Sequence, residues 1–412
     1  MQYGLIGEKL THSFSKEVHQ KLFDYEYELK EIKKEDLKDF MTKRDFKAIN
    51  VTIPYKKAVM PYLDFISDIA RKIGAVNTVV NKNGKLYGYN TDFYGLKALI
   101  EKENIEIKNK KVLILGSGGT AKTAYTVASY LNAKEIYKVS RSEGQDVITY
   151  KQATEDHSDA DVIINTTPCG MYPSIDTFAI DIDNFKNLSG VVDVVYNPLC
   201  TALVRKAKDK GIKAIGGLYM LVTQAFFSAE KFTGMAVSKE KNDAVFKEIE
   251  REKMNIVLTG MPSSGKSTVG EILCQMLNME FIDTDKEIEK REGISANEII
   301  GSVGEQGFRD IETEVIKNVC TKNHCIIATG GGAILRKENI ERLKLNGKIY
   351  FLDRPIDELT TTADRPLSNT KEKLKKRFEE RYNIYVSSAD FTVKSKPTAE
   401  QNAEIIAKDF FE

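Results

Sequence analysis

The chain has 412 residues, 42% of them hydrophobic, and its 61 basic residues are balanced by 60 acidic ones. A chain this long exceeds the size at which a single hydrophobic core stops growing, so we expect two or more domains. The near-neutral charge, without a dense basic tract, argues against nucleic acid as a partner. Small molecules are therefore the expected ligands.

Cysteine usage and hydropathy indicate a reducing compartment. The five cysteines are odd in number and scattered, which predicts neither a disulfide framework nor a zinc site. No secretory leader is recognisable in "MQYGLIG", and no apolar run approaches the ~18 to 20 residues that span a bilayer. We therefore expect a cytoplasmic protein without a membrane partner.

The first hundred residues alternate short strands with helical segments. Strands are predicted in "YGLIG", "YELKEI", "AINVTIP" and "AVNTVVNKNGKLYGYN", and the pair Asn83-Gly84 is typical of a hairpin turn. Helical segments such as "SKEVHQKLF" separate some of these strands. The pattern predicts an α/β domain over residues 1–104.

Two later segments share one pattern, in which an apolar strand leads through a glycine turn into a helix. The first is "KKVLILGSGGTAKTAYTVASYL" and the second is "MNIVLTGMPSSGKSTVGEILCQML". They predict nucleotide-binding α/β units over residues 105–217 and 254–412. The charge-rich "SKEKNDAVFKEIEREK" before the second unit permits a short helix, and we interpret residues 235–253 as a linker.

The second glycine turn contains a phosphate-binding motif. Residues Gly260–Ser267 fit G-x-x-x-x-G-K-[ST], in which backbone N–H groups and a helix N-terminus face phosphate oxygens. The Lys266 ammonium would supply a point charge, and the Ser267 hydroxyl would ligate Mg²⁺. The apolar strand before the motif and the helix after it favour this interpretation over a chance turn.

Other polar residues in the same half could bind an acceptor. Asp283 and Asp285 follow a predicted strand, so one carboxylate could reach the metal and the other an acceptor hydroxyl. Alternatively, Asp285 caps a helix that begins at Lys286. Arg309 could hold a carboxylate or phosphate, or be solvated. The triplet Gly330–Gly332 either lets a ligand approach the backbone or forms a plain tight turn.

After the phosphate loop, the second half contains "DTD", "GEQGFR", "TGGG", "DRPL" and "RYNIY". The order and spacing of these motifs resemble those of the shikimate kinases over Met254 to Glu412. The resemblance implies phosphorylation of shikimate with ATP and Mg²⁺, with Asp285 as catalytic carboxylate, Ser267 at the metal and Asp283 near it through water. The implied ATP-binding residues are Ser263, Ser264, Gly265, Lys266, Ser267, Thr268 and the lid residue Arg365. The implied shikimate-binding residues are Asp285, Arg309, Gly331 and Arg381.

The first glycine turn, "GSGGTAK", is typical of a loop that brings a helix N-terminus to a pyrophosphate. Ala121 stands at the third glycine position of that pattern. After the next predicted strand, where an acidic residue would hold the ribose of NAD, the chain has Ser140, Arg141 and Ser142. Arg141 therefore favours the 2′-phosphate of NADP, and the alternative is a charged loop residue.

Reduction by a nicotinamide needs a proton carrier near the reacting oxygen. Lys56 in "NVTIPYKKA" and Asp92 in "GYNTDFYGL" each lie just beyond an apolar strand, where loops converge on a cleft. The alternatives are a solvated Lys56 and an Asp92 that caps a helix running through Leu99. The residues alone leave these alternatives open.

The first half contains, in this order, the motifs "HSFS", "NVTIPYK", "GAVNTV", "NTD", "GSGGTAKTA", "INTTPCGMYP", "DVVYNPL" and "GGLYMLVTQA". These motifs and their order resemble those of the shikimate dehydrogenases over residues 1 to about 234. The resemblance implies that Lys56 and Asp92 are the catalytic pair and that residues 218–234 complete the substrate domain. The implied shikimate-binding residues are Ser13, Ser15, Thr52, Lys56, Asn77, Asp92, Tyr196 and Gln224. The implied NADP-binding residues are Gly116, Ser117, Gly118, Gly119, Thr120, Ser140, Arg141, Ser142, Thr166, Val194 and Gly217.

The combined prediction is an α/β chain in which an N-terminal substrate domain and a Rossmann-like NADP domain are followed by a P-loop kinase domain with a parallel sheet flanked by helices. The first half would reduce 3-dehydroshikimate with NADPH, and the second would convert shikimate to shikimate 3-phosphate with MgATP. In one alternative the first half is a quinate/shikimate dehydrogenase that uses NAD. In another, one half is a non-catalytic ligand sensor.

Overall fold

A computed structural model of the chain describes residues 1–10, 14–142, 144, 146–360 and 370–412. These residues form two compact units, Met1–Ile249 and Glu250–Glu412. Two of the predicted ligand-binding residues, Ser13 and Arg365, lie outside the described residues. Within the described ranges, no helix combines the length and the apolar character needed to cross a bilayer.

The first unit begins with a mixed six-stranded sheet in the order β2-β1-β3-β5-β6-β4. Strands β2, β1 and β3 are parallel, whereas β5 and β6 form an antiparallel hairpin. The strands are β1 (Tyr3–Gly7), β2 (Tyr27–Glu31), β3 (Ala48–Val51), β4 (Phe65–Ile66), β5 (Thr78–Lys82) and β6 (Lys85–Tyr89). The helices are α1 (Ser15–Leu22), α2 (Leu37–Lys43), α3 (Asp68–Ile73) and α4 (Asp92–Lys102).

The predicted hairpin turn is confirmed. Asn83 and Gly84 both have positive φ angles, 52° and 83°, as the two central residues of a type I′ hairpin turn require. The short strand β4 was not predicted, because its two residues are too few to carry a periodic pattern. Apolar residues of α2, β3 and the hairpin share one core.

The central part of the first unit is a six-stranded parallel sheet in the order β12-β11-β10-β7-β8-β9. This is the doubly wound order, which reverses between β7 and β10 and leaves a crevice there for a nucleotide. The strands are β7 (Lys111–Leu115), β8 (Glu135–Ser140), β9 (Val147–Thr149), β10 (Val162–Asn165), β11 (Gly190–Asp193) and β12 (Lys213–Ile215). The helices are α5 (Gly119–Tyr130), α6 (Tyr150–Glu155) and α7 (Ala202–Asp209).

Helix α5 packs on the sheet through small residues. Ala121, Ala124 and Ala128 are fully buried against the apolar side chains of β7. Ala121 therefore takes the place of the third glycine, since its small, fully buried methyl group still allows the close helix–strand packing that this position requires. The departure from the dinucleotide motif leaves the helix in its usual place.

A buried carboxyl group ends strand β11. Asp193 accepts hydrogen bonds from Asn165 Nδ2 at 3.0 Å, from the Val195 amide at 3.0 Å and from Thr201 Oγ1 at 2.7 Å. Burial nevertheless raises the pKa of Asp193 to about 6. The folded protein therefore binds this proton more tightly than the unfolded chain does, and the free energy of unfolding falls as pH rises from about 4 through 6.

Replacement of this carboxyl group should remove that pH dependence. Between pH 4 and pH 7 the unfolding free energy of the wild-type first unit should fall by roughly 2 kcal/mol because of this group, whereas that of Asp193→Asn, which keeps an acceptor oxygen, should not show this fall. Urea midpoints of the first unit, followed by pulse proteolysis at both pH values, measure the change. The exposed Asp156→Asn variant should keep the wild-type profile, and a parallel shift at both pH values would contradict the assignment.

Two helices close the first unit. Helix α8 (Leu218–Thr233) packs on α4 and α1, and its Val222 and Ala225 share a core with Val18 of α1. The segment interpreted as a linker contains helix α9 (Lys239–Lys253), whose Val245 and Ile249 are buried in the same core. Most of that segment is therefore a packed helix. The domain limits within the first unit remain predictions.

The second unit contains a five-stranded parallel sheet in the order β14-β15-β13-β16-β17. Its strands are β13 (Asn255–Thr259), β14 (Glu280–Asp283), β15 (Cys325–Ala328), β16 (Gly347–Asp353) and β17 (Phe391–Lys394). The helices are α10 (Lys266–Leu277), α11 (Thr284–Glu292), α12 (Ala296–Val319), α13 (Lys337–Leu343), α14 (Lys371–Ser388) and α15 (Ala399–Phe411). The strand that precedes the phosphate loop is central, so loops from its neighbours converge on that loop.

Candidate active sites

The first unit contains a cavity of about 650 Å³ beyond the carboxyl ends of β1 and β3. Helix α8, Asp92 at the start of α4, and the segment after β11 contribute further parts of its wall. Many of the residues that the sequence assigned to substrate or cofactor line it together. They are Ser15, Thr52, Lys56, Asn77, Asp92, Thr120, Val194, Tyr196, Gly217 and Gln224.

Lys56 and Asp92 meet inside this cavity. Lys56 Nζ donates to Asp92 Oδ2 at 2.6 Å, and the side chains are 28% and 16% exposed. Helix α4 begins at Asp92, and the residue at its N-cap is Thr91. The capping alternative for Asp92 is therefore wrong, as is the alternative of a solvated Lys56. The pair is a partly desolvated ammonium–carboxylate contact of the kind that can move a proton.

A network of buried amide and hydroxyl groups lies behind this pair. Asn77 Oδ1 accepts from the Thr91 amide at 2.7 Å, and its Nδ2 donates to Thr91 Oγ1 at 3.1 Å. Asn50 Nδ2 donates to Ser228 Oγ at 2.8 Å, which connects β3 to α8. These bonds orient the Asn77 amide within the cavity wall. The sequence did not reveal the network, because its members are separated by up to 178 positions.

The glycine loop after β7 has the geometry expected at a phosphate. Gly116 has a φ of 111°, and an added Cβ would lie 2.8 Å from Thr166 Oγ1. A Cβ at Gly118 or at Gly119 would meet nothing within 4 Å, so this surface is open for a ligand to approach the backbone. Thr166 Oγ1 donates to the Leu115 carbonyl at 2.6 Å and joins the ends of β7 and β10. These residues fit a bound dinucleotide.

The remaining predicted cofactor residues divide into two groups. Thr120, Val194 and Gly217 line the cavity itself. Ser140 ends strand β8, and the exposed residues Arg141 and Ser142 follow it. Because β8 neighbours β7, this second group lies at the same edge of the sheet as the glycine loop. That is the position from which a side chain reaches the ribose in this fold.

The second unit has its own cavity of about 660 Å³ at the carboxyl edge of its sheet. Nearly all of the residues assigned to ATP and shikimate line it. They are Ser263, Gly265, Lys266, Ser267, Thr268, Asp283, Asp285, Arg309, Gly331 and Arg381. Ser264, in the same loop, is buried. The loops after β13, β14 and β15 thus meet around one space.

The phosphate loop carries groups suited to MgATP. Ser267 Oγ donates to Asp283 Oδ2 at 2.8 Å, so a hydroxyl and a carboxylate oxygen stand together, and these are ligand types that Mg²⁺ prefers. Lys266 Nζ donates to the carbonyls of Gly260 and Met261, each at 2.9 Å, across the base of the loop. The residues therefore fit a bound nucleotide and its cation.

The two neighbouring aspartates have different roles. Asp283 is the N-cap of α11, since its Oδ1 accepts from the amides of Asp285 and Lys286 at 3.0 and 3.4 Å. The helix begins at Thr284, so the alternative in which Asp285 caps a helix beginning at Lys286 is wrong. Asp285 instead presents its carboxylate to the cavity wall beside Gly330, where an added Cβ would lie 2.5 Å from Asp285 Oδ1.

Two arginines close the acceptor side of this cavity. Arg309 Nη1 contacts Glu312 Oε2 at 2.6 Å, and Arg381 Nη1 donates to the Gly331 carbonyl at 2.9 Å. A Cβ at Gly332 would lie 2.2 Å from the Arg309 guanidinium, so this glycine is needed for a side chain of the protein itself to approach the backbone. Burial raises the pKa of Glu312, although Arg309 opposes that effect.

Sequence reasoning missed Arg377 and the carboxylates Glu305 and Glu312. Arg377 lines the same cavity, one helical turn before Arg381 on α14. Its Nη2 lies 3.4 Å from Glu305 Oε2. The available signals were the spacing of four between Arg377 and Arg381 and of three between Arg309 and Glu312, which place each pair on one helix face.

Comparison with known proteins identifies the first unit. A sequence model of the shikimate dehydrogenase substrate binding domain matches residues 5–79. Shikimate dehydrogenase (NADP(+)) from Clostridium perfringens is 39% identical over 265 residues, which are 60% of this chain and 98% of that protein. The chain belongs to the shikimate dehydrogenase family.

Solved structures of shikimate dehydrogenases cover a similar share of the chain. A chorismate mutase/shikimate 5-dehydrogenase fusion protein from Clostridium acetobutylicum is 40% identical with a TM-score of 0.57, covering 60% of this chain and 96% of that chain. Shikimate 5-dehydrogenase from Thermus thermophilus, in complex with NADP(H) and shikimate, is 26% identical with a TM-score of 0.54 and covers 60% of this chain and 99% of that chain.

The second unit matches a different family. A sequence model of shikimate kinase covers residues 262–410. The chain is therefore a bifunctional shikimate-pathway enzyme that joins an NADP-dependent shikimate dehydrogenase to a shikimate kinase that uses ATP with Mg²⁺. The predicted fold class, both activities and the cofactors are confirmed.

Proposed function

We propose that the first unit reduces 3-dehydroshikimate to shikimate at the Lys56–Asp92 pair, and that the second phosphorylates shikimate at the cavity around Lys266 and Asp285. The observation that carries this proposal is that each unit has a cavity of its own, with an acid–base group beside a nucleotide-binding loop. The product of the first reaction is then the acceptor of the second.

In the first reaction, NADPH supplies the hydride that reaches the carbonyl carbon. The Lys56 ammonium donates a proton to the carbonyl oxygen, so that the ketone becomes an alcohol. The Asp92 carboxylate, whose Oδ2 lies 2.6 Å from Lys56 Nζ, holds that ammonium in position and directs it toward the substrate. The residues proposed to hold the substrate are Ser13, Ser15, Thr52, Asn77, Tyr196 and Gln224.

The neutral groups of this set suit a polyhydroxylated ring. Burial raises the pKa of Tyr196, so its phenol stays neutral and can donate a hydrogen bond. The Asn77 amide is held by Thr91 and presents a fixed orientation. On the cofactor side, Ser140, Arg141 and Ser142 are proposed to bind the 2′-phosphate, which only NADP carries.

In the second reaction, MgATP supplies the γ-phosphoryl group. Lys266 offsets the charge on the phosphates, and Ser267 would hold the cation, with Asp283 acting through water. Asp285 positions the shikimate hydroxyl and accepts its proton as that oxygen attacks phosphorus. Arg309, Gly331 and Arg381 are proposed to hold shikimate, and Arg365 to contact ATP.

We propose the cytoplasm as the location and small molecules as the ligands. All five cysteines are free thiols, which fits a reducing compartment.

The direct experiment is a coupled assay of the full chain on 3-dehydroshikimate with NADPH and ATP. We expect NADPH oxidation without ATP, and formation of shikimate 3-phosphate only when both cofactors are present. Phosphorylation that proceeds with ATP alone on 3-dehydroshikimate would contradict the order of the reactions. Rates with NAD and with quinate, measured on the same preparation, test the cofactor and substrate assignments.

A further inference from the structure

A third arginine shares the kinase cavity with the two proposed to hold shikimate. Arg377 is 16% exposed and lies on the same face of α14 as Arg381. Both residues line the cavity together with Arg309 and Asp285. Neither the family resemblance nor the acid–base chemistry assigns Arg377 a role.

A single carboxylate connects Arg377 to the acceptor side. Glu305 Oε2 lies 3.4 Å from Arg377 Nη2, and its Oε1 lies 3.5 Å from Arg309 Nη2. Although burial opposes them, Arg377 and Arg309 hold the pKa of Glu305 below its usual value, so it is ionised at neutral pH. Helix α12 breaks at Gly304, which has a φ of 75° and a ψ of 176°, and Glu305 begins the helical segment that carries Arg309.

The negative charge of Glu305 is unfavourable for an anionic acceptor. Shikimate carries a carboxylate, and its proposed partner Arg309 is already in contact with Glu305. At distances of a few ångströms in a partly buried site, a like charge weakens such binding appreciably. Arg377 contacts the opposite oxygen of Glu305 and offsets that charge.

We infer that Arg377 is a positioning residue of the kinase unit that sets its affinity for the acceptor. It neutralises Glu305 and thereby preserves the attraction of Arg309 and Arg381 for the carboxylate of the acceptor. This inference rests on the proposed assignment of shikimate to this cavity. It gives Arg377 a role in acceptor affinity and none in the chemical step.

Removal of the guanidinium should weaken acceptor binding selectively. In Arg377→Met we expect the KM for shikimate to rise about tenfold, with the KM for ATP within about twofold and kcat within about threefold of the wild type. Steady-state kinase assays give all three values, and calorimetry with shikimate alone gives the affinity independently. Lys376→Met is the matched control, since that side chain is 79% exposed on the same helix.

A double variant separates charge from packing. Glu305→Gln with Arg377→Met removes one charge of each sign, so the KM for shikimate should return to within about threefold of the wild type. Arg377→Lys should also stay near the wild type, because it keeps the positive charge. A tenfold defect that persists in the double variant, or an unchanged KM in Arg377→Met, would overturn the inference.

Failure of the proposed function would look different. If shikimate is not the acceptor, the wild-type chain itself will not phosphorylate it, whatever the state of position 377. If shikimate is the acceptor and Arg377→Met changes the KM for ATP as much as the KM for shikimate, the proposed function stands and the role of Arg377 is wrong.

Discussion

Lys56→Ala should abolish NADPH oxidation by the full chain and leave phosphorylation of shikimate intact. The Lys56 ammonium, held at 2.6 Å from Asp92, is the proposed proton donor to the substrate oxygen, and a missing acid–base group reduces turnover by about a thousandfold. The rate of shikimate phosphorylation should stay within about twofold of the wild type, since the cavity of the second unit is lined only by residues of that unit. Loss of NADPH absorbance and formation of ADP, followed on one preparation, measure both activities.

A surface lysine provides the control for this change. Lys72→Ala removes an exposed ammonium near the end of α3 and should leave both activities unchanged. If Lys56→Ala keeps more than a tenth of the wild-type kcat for NADPH oxidation, Lys56 is not the proton donor. If it also removes the kinase activity from folded protein, the model of two separate sites is wrong.

Lys266→Ala should have the reverse effect. Its ammonium lies across the base of the phosphate loop, 2.9 Å from the carbonyls of Gly260 and Met261, and is placed to stabilise charge on the transferred phosphoryl group. Loss of such a preorganised charge costs about a thousandfold in phosphorylation. NADPH oxidation with 3-dehydroshikimate should stay within about twofold of the wild type.

The exposed Lys290 on α11 offers a matched comparison. Lys290→Ala removes the same charge outside the cavity and should leave phosphorylation unchanged. Phosphorylation that survives in Lys266→Ala, or dehydrogenase activity that disappears with it, would contradict the assignment. The two lysine variants also test the alternative in which one half is a sensor, because a sensor would show no turnover to lose.

Much of the fold could be predicted because local patterns encode it. The strand–glycine–helix segments starting near Lys110 and Met254 identified both nucleotide-binding sheets, since each pattern is contained within about twenty-five neighbouring residues. The Asn83-Gly84 turn was predictable for the same reason. Asn and Gly adopt positive φ angles more readily than other residues, so two neighbouring residues identify the turn. The two-residue strand β4 and the packing of α9 depended on distant partners.

The candidate sites divide along the same line. The sequence by itself determined the phosphate loop and the dinucleotide loop, and it identified Lys56, Asp92 and Asp285 as candidate catalytic residues. It could do so because each of these residues lies in a short motif that neighbouring residues define. The sequence left open whether Asp92 and Asp285 were helix caps, since a cap and a catalytic carboxylate occupy the same kind of position after a strand.

Only the tertiary structure decided those alternatives. Asp92 lies 36 positions from Lys56, and Arg377 lies 72 positions from Glu305, so their contacts exist only once strands and helices have packed. Asp283 proved to be the cap of α11, which leaves the Asp285 carboxylate at the cavity wall. A residue sequence specifies which groups are available, whereas packing sets the distances on which proton transfer and charge neutralisation depend.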